Sequence, residues 1–147
     1  RESFERRRCL IPADGFYEWR RNDRSKQAFH FGMKDGSLFA FAGIWDRSKA
    51  AGQPAIESCA ILTSKANELL KDVHDRMPVI LAKESYDAWL CAPASNFRSL
   101  MQLLVPFNSE LMRRWPVGPA VNDPRNESSQ CLEEVAEFIT GQTALFD

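Results

Sequence analysis

Pro78 restricts the fold of this chain more than any other residue. It has no N–H and pushes Met77 out of the α region, so any helix before it must end and the chain must turn extended. It stands in Lys71-Asp72-Val73-His74-Asp75-Arg76-Met77-Pro78, between a segment of helical character at residues 65–71 and an apolar run, Val79-Ile80-Leu81. An imidazole, a carboxylate and a guanidinium therefore lie at a junction between two regular elements, where side chains are held in place yet still reach solvent or a ligand. A histidine at such a junction also serves simply to pack or to cap a helix end.

The strands before this junction set a second constraint. Cys9-Leu10-Ile11-Pro12-Ala13 is an apolar run closed by Asp14-Gly15, a pair suited to tight turns, and Phe16-Tyr17-Glu18-Trp19 resumes with residues that favour a strand. Alternation puts Phe16 and Glu18 on one face and Tyr17 and Trp19 on the other, so a carboxylate sits beside an aromatic core position. Half-buried, such a group holds its proton more tightly and suits acid and base work; on an edge strand it is simply solvated. Trp19 fits either a core position or, beside arginines, a platform for a stacked base.

Residues 20–27 read as a polar hairpin loop, and residues 28–33 and 38–45 as a second hairpin with its turn at Asp35-Gly36. His30, between two phenylalanines, reads as structural. Another strand is expected over residues 55–63, then a helix over 65–71 with Ser64 as its N-cap. Helices are also expected at 85–90, with Tyr86, Trp89 and Leu90 on one face, at 95–104, and over the acidic stretch 132–139. Strand-rich hairpins mixed with short helices make this an α+β chain.

With 147 residues, 44% hydrophobic and 27% charged, there is material for one compact soluble unit, residues 1–147. No apolar run approaches a membrane span, and the opening Arg1-Glu2-Ser3-Phe4 lacks the hydrophobic region of a signal peptide, so no membrane association is expected and a cytoplasmic location is. Cys9, Cys59, Cys91 and Cys131 form no Cys-x-x-Cys, and with two histidines zinc ligation is disfavoured; buried free thiols are the expectation. A net charge of -1 conceals a basic beginning and an acidic end. The basic end could meet phosphates, although Arg6-Arg7-Arg8 equally suits a solvated face.

Five blocks carry a resemblance: Arg8-Cys9-Leu10-Ile11-Pro12-Ala13-Asp14-Gly15-Phe16-Tyr17-Glu18-Trp19, Phe41-Ala42-Gly43-Ile44-Trp45, Ala60-Ile61-Leu62-Thr63, His74-Asp75-Arg76-Met77-Pro78, and Val121-Asn122 with Arg125-Asn126. In that order they resemble the SOS response-associated peptidase (SRAP) family. The resemblance implies a barrel-like mixed sheet of mainly antiparallel strands flanked by short helices. It also implies a monomer that binds single-stranded DNA at an abasic site and links covalently to the ring-opened aldehyde. The α-amine of an amino-terminal cysteine forms a Schiff base, and its thiol closes a thiazolidine.

By the same resemblance, Glu18 and His74 are the catalytic proton-transfer residues, and Trp19, Thr63 and Arg76 contact DNA. A proposed self-processing peptidase activity is implied as well, and no metal or organic cofactor. In a bacterium the protein would be nucleoid-associated when bound. This sequence opens at Arg1 without the amino-terminal cysteine, so it is expected to be the larger carboxy-terminal part of an SRAP domain, unable as written to form the thiazolidine. Two other readings stand beside it: a non-covalent single-stranded DNA-binding module, and a thiol peptidase.

Overall fold

The computed structural model describes residues 2–22, 25–49 and 52–137. The chain opens with α1 (Glu2–Arg6), then runs through β1 (Arg8–Ala13), β2 (Gly15–Asn22), β3 (Ser25–Met33), β4 (Phe39–Ser48), β5 (Ile56–Ile61), β6 (Thr63–Lys65), β7 (Arg76–Pro78) and β8 (Ile80–Leu81). Two short helices follow, α2 (Tyr86–Cys91) and α3 (Phe97–Gln102), and β9 (Met112–Val117) is the last strand. All pairing is antiparallel, in a four-stranded sheet (β1-β4-β5, with β8 also on β4), a three-stranded sheet (β2-β3-β9) and a two-stranded ribbon (β6-β7). The α+β class is as expected, but among the described residues no ladder joins these sheets into a closed barrel.

The chain changes sheets at Asp14, which is why the barrel does not close there. β1 pairs with β4, whereas β2 pairs with β3. Gly15 permits the crossing by close approach, not by a positive φ: a Cβ there would stand 2.1 Å from His30 Cε1. His30 itself is buried, its ring 5.0 Å from Tyr17 and 4.4 Å from Trp115, and burial pushes its pKa down. The expected second hairpin is also absent. Asp35-Gly36 does turn the chain, with Gly36 at φ 71°, yet β3 and β4 belong to different sheets. Local turn chemistry reverses a chain without choosing the partner of the strand that follows.

β4 is the wall between two cores. Phe39 and Phe41 join Phe29, Phe31, Leu70 and Met77 on one side, while Ala42 meets Val79, Trp89 and Leu100 on the other. The alternation Phe-Ala-Phe-Ala suits a strand buried on both faces, large toward one core and small toward the other. Fully burying a phenylalanine such as Phe29 or Phe31 stabilises the fold by roughly 1.5–3 kcal/mol.

Several helices differ from expectation. Residues 65–71 form no helix: Lys65 is in β6, and Asn67 Oδ1 accepts from the N–H groups of Leu69 and Leu70, making a pair of tight turns in place of a helix. Ser64 is a buried strand residue, not an N-cap. In α2, Trp89 is fully buried while Leu90 is 42% exposed, so the two do not share a face. The third helix shortens to α3, preceded by a 3-10 turn at Ala94–Asn96. The acidic end gives a 3-10 turn, Ser129–Leu132, and a bridge of Glu134 to Val117 in place of a helix; residues 138 and 139 lie outside the described residues. Of the expected polar loop at 20–27, residues 20–22 belong to β2 and 25–27 to β3; residues 23 and 24 lie outside the described residues. Of the thiols, Cys131 is buried and Cys9 partly so, but Cys59 and Cys91 are exposed.

Arg8 is a structural residue and no part of a solvated face. Its guanidinium donates to the carbonyls of Phe4 (2.8 Å), Glu5 (2.9 Å), Trp89 (2.5 Å) and Ala92 (2.5 Å), closing the carboxyl ends of α1 and α2 together. A cation is favoured at both ends by the helix dipole. Lysine offers a point charge in place of a planar fork and cannot reach four carbonyls at once. Arg8→Lys should therefore lower stability by about 1–3 kcal/mol, read as a lower urea midpoint with an unchanged m-value; an unchanged midpoint would remove Arg8 from this role.

Candidate functional site

β2 is an edge strand, and its free edge is where side chains from both of its faces meet solvent. Glu18 arrives from one face, Trp19 and Arg21 from the other. The turn that ends in Val73 and His74 packs over the core face of this sheet, and together with Lys26 these residues line a cavity of about 410 Å³. Glu18 and His74, 56 positions apart in sequence, thus share one site.

Two ion-pair contacts hold the turn there. Asp72 takes two hydrogen bonds from Arg114 on β9, at 2.5 and 2.9 Å, and Arg114 also donates to the Leu69 carbonyl at 2.8 Å. Arg20 of β2 lies 4.0 Å from the same carboxylate. Both guanidiniums rest on the Phe29 ring, at 5.1 and 4.9 Å from its centroid. The Arg114 hydrogen bonds hold Asp72 below the usual carboxylate range, and Asp72 in return raises the Arg114 pKa.

Glu18 is half-buried, and burial pushes its pKa up; the nearby His74 and a hydrogen bond from the Trp19 backbone N–H act in the opposite direction. A carboxylate poised this way accepts a proton more readily than a solvated one. The His74 ring is fixed through Nδ1, which lies 3.1 Å from the Arg76 N–H and 3.0 Å from the Arg76 carbonyl, with Asp75 Oδ1 at 3.3 Å. Nδ1 therefore finds a donor when it is bare and an acceptor when it carries a proton. Either protonation state is accommodated without turning the ring, which suits a group that must act as acid and base in succession.

The expected DNA-contacting residues divide between two rims. Trp19 lines the cavity, its Nε1 donating to Asn122 Oδ1 at 2.9 Å and its ring 4.7 Å from Lys26 Nζ. Thr63 and Arg76 clasp each other on the β6-β7 ribbon: Arg76 Nε and Nη2 donate to Thr63 Oγ1 at 2.9 and 2.7 Å, and Nη2 to its carbonyl at 2.8 Å. Arg76 follows closely after His74 in the chain, and neither Thr63 nor Arg76 lines the cavity. Sequence reasoning missed Arg21, Lys26 and the Asp72–Arg114 clamp. Arg21 continues the alternation of Tyr17 and Trp19 and was within reach of it; the clamp joins residues 42 apart and left no local signal.

No group of three or more His, Cys, Asp or Glu side chains among the described residues is placed to hold a metal ion. Cys9 is outside the cavity, and burial, with Cys59 nearby, pushes its thiol up. A thiol in that condition is a poor nucleophile.

A half-buried carboxylate and a histidine thus line one cavity beside β2, the outermost strand of its sheet among the described residues. The family model for SOS response associated peptidase (SRAP) matches residues 1–124, and the chain belongs to that family. It is 40% identical over 128 residues to abasic site processing protein YoqW of Bacillus subtilis, covering 86% of this chain and 57% of that protein. To abasic site processing protein HMCES of Mus musculus it is 32% identical over 153 residues, covering 86% and 43%. A solved structure from Bacteroides thetaiotaomicron superposes with a TM-score of 0.83 at 28% identity, over 92% of this chain and 60% of that one. The chain thus spans little more than half the length of the Bacillus relative.

Glu18 also ties stability to pH. Its folded-state pKa lies above the unfolded value of about 4.3, so the folded state binds the extra proton and loses stability as pH rises through that interval. Glu18→Gln removes this loss. The variant should match the parent below about pH 4 and exceed it in thermal midpoint at pH 7; a variant less stable at pH 7 would contradict the half-buried placement.

Proposed function

We propose that the protein of which this chain is part processes abasic sites in single-stranded DNA, with Glu18 and His74 as its proton-transfer pair. The observation that carries this reading is the shared cavity: a carboxylate with a raised proton affinity and a histidine fixed for both protonation states face one space at an open strand edge. Family membership and the names of the Bacillus and mouse relatives support the substrate.

The ring-opened sugar at an abasic site presents an aldehyde. In the reaction implied by the family resemblance, the α-amine of an amino-terminal cysteine attacks that carbon after giving up a proton to Glu18. The carbonyl oxygen takes up two protons, one from the attacking nitrogen and one from His74 as acid, and leaves as water, producing the iminium. The cysteine thiol then adds to the same carbon, the C=N electron pair returns to the nitrogen, the thiol proton passes to His74, and the thiazolidine closes. Reversal follows the same path with the roles exchanged. Trp19 offers a face for a flanking base, a contact worth about 1–3 kcal/mol per base. Thr63 keeps the Arg76 guanidinium extended on the outer face of β7, available to a phosphate.

The test uses the product of the complete reading frame and single-stranded DNA bearing one abasic site, resolved on a denaturing gel. Covalent adduct should form, and His74→Ala or Glu18→Gln should slow it by about 10²–10⁴-fold, the range of a general acid or base. Full-rate adduct from both variants would contradict the assigned roles. No adduct from folded parent protein would overturn the cross-linking reading.

A further inference from the structure

Residues 119–137 form a strap around the sheet that carries Glu18. β9 is the outer strand of that sheet and pairs with β3 on one side. Its other edge takes the strap: Glu134 bridges to Val117, and the Val135 N–H donates to the Pro116 carbonyl at 3.0 Å. Before that edge the strap lies on the face of Trp19. There Asn122 Oδ1 accepts from Trp19 Nε1 at 2.9 Å, and the Leu132 carbonyl accepts from Trp115 Nε1 at 2.9 Å. Beyond the edge, Glu137 meets Arg20 at 2.7 Å on the opposite face, the one that Arg20 shares with Glu18 two positions away. The family model stops at residue 124, so Glu137 lies outside the matched stretch.

Glu137 completes a cluster of four charges at the Phe29 ring. Arg20 and Arg114 both rest on that ring, and Asp72 is within reach of both, bound to Arg114 by two hydrogen bonds and 4.0 Å from Arg20. A single carboxylate between two guanidiniums leaves a net positive charge, and the cations compete for it. With Glu137 on Arg20 the cluster is neutral, and Asp72 keeps both oxygens on Arg114. Asp72 first, and Glu137 after it, raise the proton affinity of Arg114. Arg20 is only 19% exposed, so salt and water screen this competition weakly.

We infer that Glu137 is a positioning residue for His74. By holding Arg20 it leaves Asp72 to Arg114, and so keeps the turn that ends in His74 facing Glu18. The inference rests on the proposed reading of Glu18 and His74 as a proton-transfer pair, and adds that their geometry is set from outside the stretch matched to the family. With Glu137 neutral, Arg20 draws on the Asp72 carboxylate, the bidentate pair loosens, and His74 moves relative to Glu18.

Titration of the Glu18 side-chain carboxyl by NMR, in the product of the complete reading frame, tests this with Glu137→Gln alone and combined with His74→Ala. The two routes from Glu137 to Glu18 differ in sign. A carboxylate acting through space raises its neighbour's midpoint, so its removal lowers that midpoint. Burial raises the Glu18 midpoint and His74 partly offsets it, so an effect carried by His74 raises the midpoint further when Glu137 is lost. Glu137→Gln should therefore shift Glu18 upward, in the direction of His74→Ala, and add no upward shift once His74 is gone. Glu133→Gln, the same charge loss in the same strap, should leave the midpoint in place. Adduct formation with abasic single-stranded DNA should slow by up to about 10²-fold in Glu137→Gln, as misplacement of a reacting group does. The same change on top of His74→Ala should cost nothing further.

The Arg20–Glu137 pair is partly exposed, so the thermal midpoint of Glu137→Gln should fall by no more than about 4 °C, which separates a moved histidine from a lost fold. An unchanged or lowered Glu18 midpoint in Glu137→Gln overturns the inference, as does an equal upward shift in Glu133→Gln or a further upward shift in the double variant. Failure of the proposed lesion chemistry is read separately, as absent adduct from the parent with the Glu18 midpoints behaving as described.

Discussion

The contact between Asp72 and Arg114 is the constraint on which the site depends. Glu18 is built into a sheet, whereas His74 follows a pair of tight turns with no regular element of their own. The bidentate pair and the Leu69 carbonyl bond hold those turns against β9, beside the Arg20 contact, the Asn67 bond to Phe107 and the packing of Leu70 and Val73. The pair is partly exposed, at 47% and 22% of the side chains, so it contributes no more than about 1 kcal/mol of stability. Its importance is positional. Because Asp72 is held below its ordinary pKa, the contribution is complete above about pH 4 and is lost as pH falls through the depressed value. The clamp is therefore fully formed at the pH where an amine can attack a carbonyl.

The site is expensive in ways the rest of the fold is not. It keeps a carboxylate half-buried and opposes like charges across two ladders. The cores behind it show the reverse: phenylalanines and alanines alternate cleanly on β4, and Trp89 is buried with its Nε1 donating to the Cys9 carbonyl at 3.0 Å. Local rules are broken at this site and kept where only packing is at stake.

The legible part of the fold was its periodicity. Period-two alternation placed Glu18 beside a core position and Trp19 on the other face, and the structure has them so. Pro78 did turn the chain extended, into β7. The illegible part was pairing. Asp35-Gly36 announced a turn, but β3 found β2 and β9 while β4 found β1 and β5, choices made by residues far along the chain. The expected helix at 65–71 failed because Asn67 offers the backbone N–H groups of Leu69 and Leu70 a nearer acceptor. Glu18 and His74 were each visible as candidates from their own stretches. That they share a cavity was not, since the clamp that brings them together joins Asp72 to a residue on the last strand. Thr63 entered only through the family resemblance, whereas Trp19 and Arg76 were visible in their own stretches, and the structure sets Thr63 and Arg76 against each other on one ribbon.

The most direct test of this account is the titration of the Glu18 side-chain carboxyl by NMR, in the parent chain and in His74→Ala. The parent should titrate above the ordinary glutamate range, because burial outweighs the two influences that lower it. Removing His74 takes away one of those influences, so the midpoint should rise further in the variant. An ordinary midpoint in the parent would contradict the half-buried placement of Glu18. An identical midpoint in the two proteins would show that Glu18 and His74 do not face the same space.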